Sequence, residues 1–300
     1  MRAPLNKSPL SKAIALLQHL QAISGGYVLA KRNNQHQPSK ETLVRDYPAL
    51  AKDDVPIIPL SSSSNTPSMP EVIKVERSRQ KSFTLQIPLV YEPVGMFDAA
   101  PDFMQAQTLE ELYNRIHTCT KCPLGSTRTN FVFGAGNPHA EIVFIGEAPG
   151  ADEDLQGEPF VGRAGQLLTK ILASINLSRE EVYICNILKC RPPNNRKPLP
   201  SEVEQCQPYL YMQLKLINPP FIVALGLTAA ETLLRRKLRM AEARGRWYDF
   251  YGARMLVTYH PAALLRNPEL KRDTWDDVRM LRKAYDEYRQ SGRLPEPTVS

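Results

Sequence analysis

Apolar positions along the chain change their rhythm near residue 106. Beyond that point three short continuous apolar runs rich in β-branched residues, "AEIVFIG" (140–146), "EVYICNIL" (181–188) and "FIVALG" (221–226), alternate with helical periodicity at about 163–175, 201–217 and 228–236. Continuous runs of that length read as strands covered on both faces, and the stretches between them as amphipathic helices. A further strand pair, "RWYDFYGARMLVTYH", turns at Gly252. The repeated strand–helix order predicts a parallel sheet with helices on both sides, and such sheets bind ligands beyond the carboxyl ends of their strands. Glu147, Asn186 and His260 each follow a strand at that end, which makes them the first candidates for a site.

Residues 1 to about 105 show neither rhythm over most of their length. They hold 11 of the 26 prolines, with the stretch "PIIPLSSSSNTPSMPEV", and read as a flexible linker. One exception lies at about 9–24, where Ser8 can cap and Pro9 can open a short amphipathic helix that closes at Gly25. The first acid is Glu41, as in a targeting peptide. Gln18, His19 and Gln21 interrupt its apolar stretch, and it lacks an obvious cleavage site. A docking helix on a tether is the preferred reading. The expected plan is therefore an extension over 1–105, a folded domain over 106–290 and a tail over 291–300.

Composition narrows this only a little. With 300 residues and 42% hydrophobic content the chain suits one globular domain plus something less compact. No run approaches the roughly 18 apolar residues of a membrane span. A net charge of +7 mildly favours a polyanionic partner. Five cysteines, an odd number with no clean secretory signal, favour a metal site in a reducing compartment over a disulfide framework. Cys119 and Cys122 form a C-x2-C knuckle, while Cys190 and Cys206 are separated by fifteen residues. A zinc ribbon would repeat the knuckle, and four thiolates from one knuckle and one wide loop can equally hold an iron–sulfur cluster. Spacing alone leaves the metal undecided. Cys185, inside a strand, reads as a small buried hydrophobe.

Taken together, "CTKCPLG", "GEAPGADED", "GEPFVGRAGQLL", "NILKCRPPNNRKP", the cysteine at 206 and "YHPAALLRNP" resemble the family 4 uracil-DNA glycosylases, the iron–sulfur branch of that superfamily. The resemblance spans about residues 106–285 with every motif in order. It implies a three-layer α/β/α sandwich around a four-stranded, mainly parallel sheet. It also implies a structural [4Fe-4S] cluster held by Cys119, Cys122, Cys190 and Cys206. The implied activity is release of uracil from single- or double-stranded DNA at the start of base-excision repair. The protein would be a cytoplasmic monomer, associated with the nucleoid when bound to DNA, and its extension would recruit a repair or replication protein.

That chemistry assigns the candidate residues. A target nucleotide must leave the base stack and enter a pocket. Phe160 offers a ring for the base, and the Asn186 amide matches the edge of uracil while mismatching cytosine. Without the resemblance, a core phenylalanine and a strand-capping asparagine are the plainer readings. Glu147 can orient or deprotonate water, with Gly146 and Ala148 beside it on the turn that presents backbone amides. Glu153 is expected to brace the next loop by pairing with a basic group such as Arg163, leaving Asp152 and Asp154 as surface acids. His260 is placed to bond the carbonyl where charge accumulates, with its charge state open. Leu264 or Leu265 would wedge into the stack, Arg266 would meet a phosphate, and Arg191 and Arg196 would grip the backbone. Two positions depart from the pattern: Ala148 stands where other branches carry aspartate, and Ala262 where the family commonly has serine. Two alternatives remain, a broader glycosylase for deaminated bases and a catalytically silent iron–sulfur DNA-binding module. Retention of Glu147, Asn186 and His260 together disfavours the second.

Overall fold

A computed structural model describes residues 83–88 and 100–298; the amphipathic helix expected at about 9–24 and most of the proline-rich extension lie outside the described residues. Among the described residues six strands form one sheet in the order β1-β3-β2-β4-β6-β5. They are β1 (Ala135–Gly136), β2 (Ile142–Gly146), β3 (Tyr183–Asn186), β4 (Phe221–Leu225), β5 (Trp247–Phe250) and β6 (Ala253–Thr258). The inner four, β3-β2-β4-β6, are parallel, and β1 and β5 close the edges antiparallel. The expected count of four strands is thus corrected to six. The count of four comes from the resemblance; the residues themselves read as β2, β3 and β4 in the three apolar runs and as β5 and β6 in the strand pair, whereas β1 is only two residues long. β5 joins β6 through Tyr251 and Gly252, both at positive φ (51° and 94°), as a tight hairpin turn requires.

Nine helices accompany the sheet among the described residues: α1 (Leu109–Ile116), α2 (Leu124–Thr127), α3 (Ala151–Gln156), α4 (Arg163–Ser174), α5 (Pro200–Ile217), α6 (Leu227–Leu234), α7 (Met240–Ala243), α8 (Pro261–Arg266) and α9 (Leu270–Ser291). Side chains alternate across each strand, so neighbouring strand residues serve opposite cores. Val143, Ile145, Ile222, Ala224 and Met255 pack with Leu112, Leu210 and Leu214 of α1 and α5. Phe144, Ile184, Val223 and Leu256 pack with Leu168, Leu172, Val278 and Leu281 of α4 and α9 on the other face. These are the two interfaces of a three-layer sandwich.

The packed body also takes in residues expected to be linker. Phe83, Leu85 and Ile87 alternate as a strand would, and Leu85 and Ile87 are buried. Asn218 clamps this segment, accepting from Leu85 N–H at 2.7 Å and donating to Phe83 O at 2.7 Å, while Gln86 N–H reaches Tyr251 O at 2.9 Å. At the other end, Thr298 N–H donates to Trp247 O at 2.7 Å along the outer strand.

Register places the candidate residues together. Gly146 pairs with Asn186, and Leu225 pairs with Thr258, so the carboxyl ends of all four parallel strands lie at one edge of the sheet. From β2 the chain crosses outward to β3, then returns past β2 to β4. Between β2 and β4 lies the switch point at which open α/β sheets form their crevice.

Candidate active site

A cleft of about 650 Å³ opens at that edge, lined among others by Glu147, Ala148, Phe160, Asn186, His260 and Arg266. The structure therefore unites residues separated by more than one hundred positions in the chain. Asn186, the last residue of β3, is buried, and its side-chain Oδ1 has no hydrogen-bond partner. A buried carbonyl oxygen without a donor costs free energy, on the order of 1–3 kcal/mol, so it marks a place where a ligand donor belongs. A Cβ added to Gly146 would lie 2.3 Å from Asn186 Oδ1 and 2.6 Å from the ring of Phe160. Glycine at 146 is what lets the amide and the ring close over the strand end.

Phe160 holds its ring there from a strained backbone, at φ 56°. A bulky residue in this region costs roughly 1–3 kcal/mol and persists only when its surroundings fix it. They do so from several sides. Arg179 donates to the carbonyls of Pro159 (2.8 Å) and Phe160 (3.2 Å). The helix behind it approaches so closely that a Cβ on Gly165 would lie 1.7 Å from Phe160 O.

The crowded acids divide their labour, and here two expectations are corrected. Glu153 does not pair with Arg163; its carboxylate accepts from the backbone N–H groups of Val161 (3.0 Å), Gly162 (2.9 Å) and Gly150 (3.1 Å). It thereby ties the turn after Glu147 to the loop that carries Phe160. Asp154 is not a surface acid but is 4% exposed, and it accepts from the N–H groups of Thr129 (2.9 Å) and Asn130 (3.3 Å). Asp152 is exposed as expected. Of the two carboxylates lining the cleft, Glu153 is committed to three amides, which leaves Glu147 to face whatever enters.

His260 caps the N-terminus of α8, its Nδ1 accepting from Ala262 N–H at 3.2 Å. A nitrogen that accepts carries no proton, so the neutral ring holds its proton on Nε2. Burial, and then the charge of Arg266, push this imidazole down to about 4, so it is neutral at physiological pH. The charge state left open by sequence is thus assigned. The ring sits 5.4 Å from that of Phe160, centroid to centroid.

Pro261 and Leu264 are buried one helical turn apart, and Leu264 is only 1% exposed, so it belongs to the core and is unavailable as a wedge. Leu265 projects outward at 43% exposure, next to Arg266. Arg196 lines the cleft but is held by both oxygens of Glu202, at 2.9 and 2.6 Å, and Arg191 Nε donates to Asn195 Oδ1 at 2.8 Å. Lys197 also lines the cleft, and so do Gly226, Leu227 and Thr228. Sequence reasoning passed over those three residues, although they follow the third apolar run as Glu147 follows the first.

Cys190 and Cys206 belong to the core cluster that also holds Leu188 and Tyr209, with Cys119 and Cys122 packed against it. Cys190 and Cys206 are buried, Cys119 and Cys122 half-buried, and all are free thiols. They are close enough for charge on Cys122 to act on both Cys190 and Cys206. Donors face three of the four sulfurs: Lys121 N–H (3.4 Å) and Tyr209 O–H (3.3 Å) at Cys119, Arg128 (3.3 Å) at Cys190, and Lys189 N–H (3.3 Å) at Cys206. Burial pushes the Cys206 thiol up to about 12. Among the described residues no three His, Cys, Asp or Glu side chains are gathered as they would be around one metal ion. Cys185 is fully buried within β3.

A parallel sheet with its crevice at the switch point, closed by an amide, an aromatic ring and a neutral histidine, defines a class. Residues 133–280 match the model of the uracil DNA glycosylase superfamily. Within that class the likeness is to one branch. The type-4 uracil-DNA glycosylase of Archaeoglobus fulgidus is 48% identical over 183 residues, covering 58% of this chain and 92% of that protein. That of Thermotoga maritima is 46% identical over 180 residues, covering 59% and 94%, and that of Saccharolobus solfataricus 44% over 185 residues, covering 59% and 86%. The chain belongs to the type-4 uracil-DNA glycosylases.

Proposed function

We propose that this protein hydrolyses the N-glycosidic bond of uracil in DNA and so initiates base-excision repair. The observation that carries the reading is the buried, unpartnered Oδ1 of Asn186. Uracil presents an N–H donor between two carbonyl acceptors on its pairing edge, and a fixed amide accepts from that N–H while donating to a carbonyl. A site built to hydrogen-bond one edge rejects bases lacking it, because its own buried polar groups are then left unpaired.

The remaining residues take their roles from position. Phe160 stacks on the base, with Gly146 and Ala148 forming the floor beside it. His260 Nε2–H donates to the uracil carbonyl on which negative charge develops as the bond to deoxyribose breaks. Glu147 orients water toward the sugar carbon, favours the positive charge growing there, and takes the proton as the C–O bond forms. The departing base leaves as an anion and is protonated from solvent. Ala148 and Ala262 carry no group for either task.

Cys119, Cys122, Cys190 and Cys206 would hold a [4Fe-4S] cluster. Four thiols, three of them with donors turned toward their sulfurs, suit cluster thiolates, whose charge such donors stabilise. When bound, the cluster supplies no chemistry to a hydrolysis that moves no electrons, and it cross-links the segments carrying its ligands. An iron and sulfide count of about four each, with broad visible absorbance, is expected of the isolated protein; a colourless protein holding zinc would refute this assignment.

DNA lies across the cleft mouth, with Arg266 and Lys197 on phosphates and Leu265 in the space vacated by the target base. Among the described residues no helix is long and apolar enough to cross a membrane. Uracil release from a labelled oligonucleotide, single-stranded or paired with G or A, tests the whole reading. Release from both forms is expected, and Leu265→Ala is expected to slow the duplex reaction about tenfold while sparing the single strand, where no stack must be held open. Tight DNA binding by the iron-loaded protein without release of uracil or hypoxanthine would replace the enzyme with a silent binding module.

A further inference from the structure

Lys189 is the largest charged side chain sealed inside the protein among the described residues, with no accessible surface. Its Nζ donates to the backbone carbonyl of Asn186 at 2.9 Å. The same residue's N–H points at Cys206 Sγ (3.3 Å), its carbonyl accepts from Val132 N–H (2.8 Å), and the next residue is Cys190. No carboxylate forms an ion pair with it among the described residues.

The sheet explains why Asn186 needs such a partner. Ile187 N–H donates to Gly146 O, so this part of the strand faces β2. Strand alternation then turns the carbonyl of Asn186 to the opposite side, where β1 pairs only with Tyr183 and Ile184. Among the described residues no strand reaches the carbonyl of Asn186. A buried carbonyl in that position must find a donor elsewhere, and the lysine three residues onward folds back to supply it. Placing an amine in a core is costly where methionine would pack as well, which argues for a positional purpose.

We propose that Lys189 is a positioning residue, which fixes the end of β3 against the segment carrying Cys190 and thereby holds the Asn186 amide in register with the base. The proposal rests on the reading of Asn186 given above. Either protonation state of the amine can donate the bond, so the arrangement does not depend on its charge. Residues 186–190 then act as one rigid strut running from the base-reading amide to two of the four cysteines. A displacement of about 1 Å at the amide would cost on the order of 100-fold in rate.

A double-mutant cycle separates positioning from general support of the fold. Lys189→Met keeps the length of the side chain and removes the donor. It is expected to lower kcat/KM for uracil release about 100-fold with iron content unchanged, while removal of the buried amine offsets part of the stability lost by leaving the Asn186 carbonyl without its donor. In an Asn186→Ala background, single-turnover rates are expected to change less than twofold on adding Lys189→Met, because there is no amide left to position. Should Lys189→Met fail to fold, Lys189→Leu, which likewise removes the donor, carries the same cycle. A further loss of about 100-fold in the Asn186→Ala background, with either variant, overturns the proposal and leaves the role of Asn186 intact. Full activity of Asn186→Ala alone would instead overturn the reading on which the proposal stands.

Discussion

Asn186→Ala is expected to lower kcat/KM for uracil release by ~10²–10³ while leaving the protein as stable as wild type or more so. The first effect follows from losing the group that meets the base during bond cleavage, since deleting one preorganised hydrogen-bonding group at such a site costs about that factor. The second follows from the same observation. Oδ1 is buried with no partner, and removing an unsatisfied oxygen relieves a penalty instead of breaking a bond. The amide lines an open cleft, so its truncation extends that cleft and does not leave a sealed cavity. Steady-state excision kinetics beside thermal unfolding check both halves. A joint loss of activity and stability would mean that the amide is a structural cap after all.

His260 carries the other large effect, and two functions must be kept apart in testing it. Its Nδ1 caps α8 through Ala262 N–H, and its ring lines the cleft. His260→Ser retains a capping oxygen but cannot reach the base. It is expected to lower kcat by ~10²–10³ with little change in KM, since the lost bond strengthens only as charge develops on the leaving uracil. Cap loss alone, as in His260→Ala, adds about 1 kcal/mol of destabilisation.

The pH dependence has a definite sign. The folded-state value of about 4 lies below the ordinary value of 6.5, so the native state binds fewer protons than the unfolded chain between these limits. Stability from this residue is present above 6.5 and is lost as pH falls toward 4. Asp277 contributes in the opposite sense. Burial raises it to about 6 despite its bonds to Thr258 (2.6 Å) and Arg244 (2.9 Å). Comparing His260→Ser with wild type across pH 4–7 isolates the histidine. The imidazole resonances are expected to show no titration between pH 7 and 5.5.

Much of this was legible in the residues before any coordinates. The parallel strands announce themselves as unbroken β-branched runs, because both faces of each are covered. The motifs after them place Glu147, Asn186 and His260 at one edge. What was missed has particular causes. Glu153 binds backbone amides from a loop eight residues away, and no sequence pattern distinguishes that from an ion pair with Arg163. Asp154 is buried for the same kind of reason. Choosing between Leu264 and Leu265 depends on the phase of α8 against the core, although the spacing of Pro261 and Leu264 carried the signal. The longest helix, α9, is densely charged, and its buried residues Thr274, Asp277, Val278, Leu281, Ala284 and Tyr288 include two polar ones that blur the periodicity. The alternation of Phe83, Leu85 and Ile87 is only three apolar positions long, too short to stand out in a proline-rich stretch.

The central claim is that the unpartnered oxygen of Asn186 awaits the N–H of uracil, and a crystal structure of the protein with free uracil tests it most directly. The expected result places that N–H nitrogen within about 3 Å of Asn186 Oδ1, the ring stacked on Phe160, and one carbonyl within about 3 Å of His260 Nε2. Uracil bound elsewhere, or bound in the cleft with Asn186 Oδ1 still lacking a donor, would contradict the account.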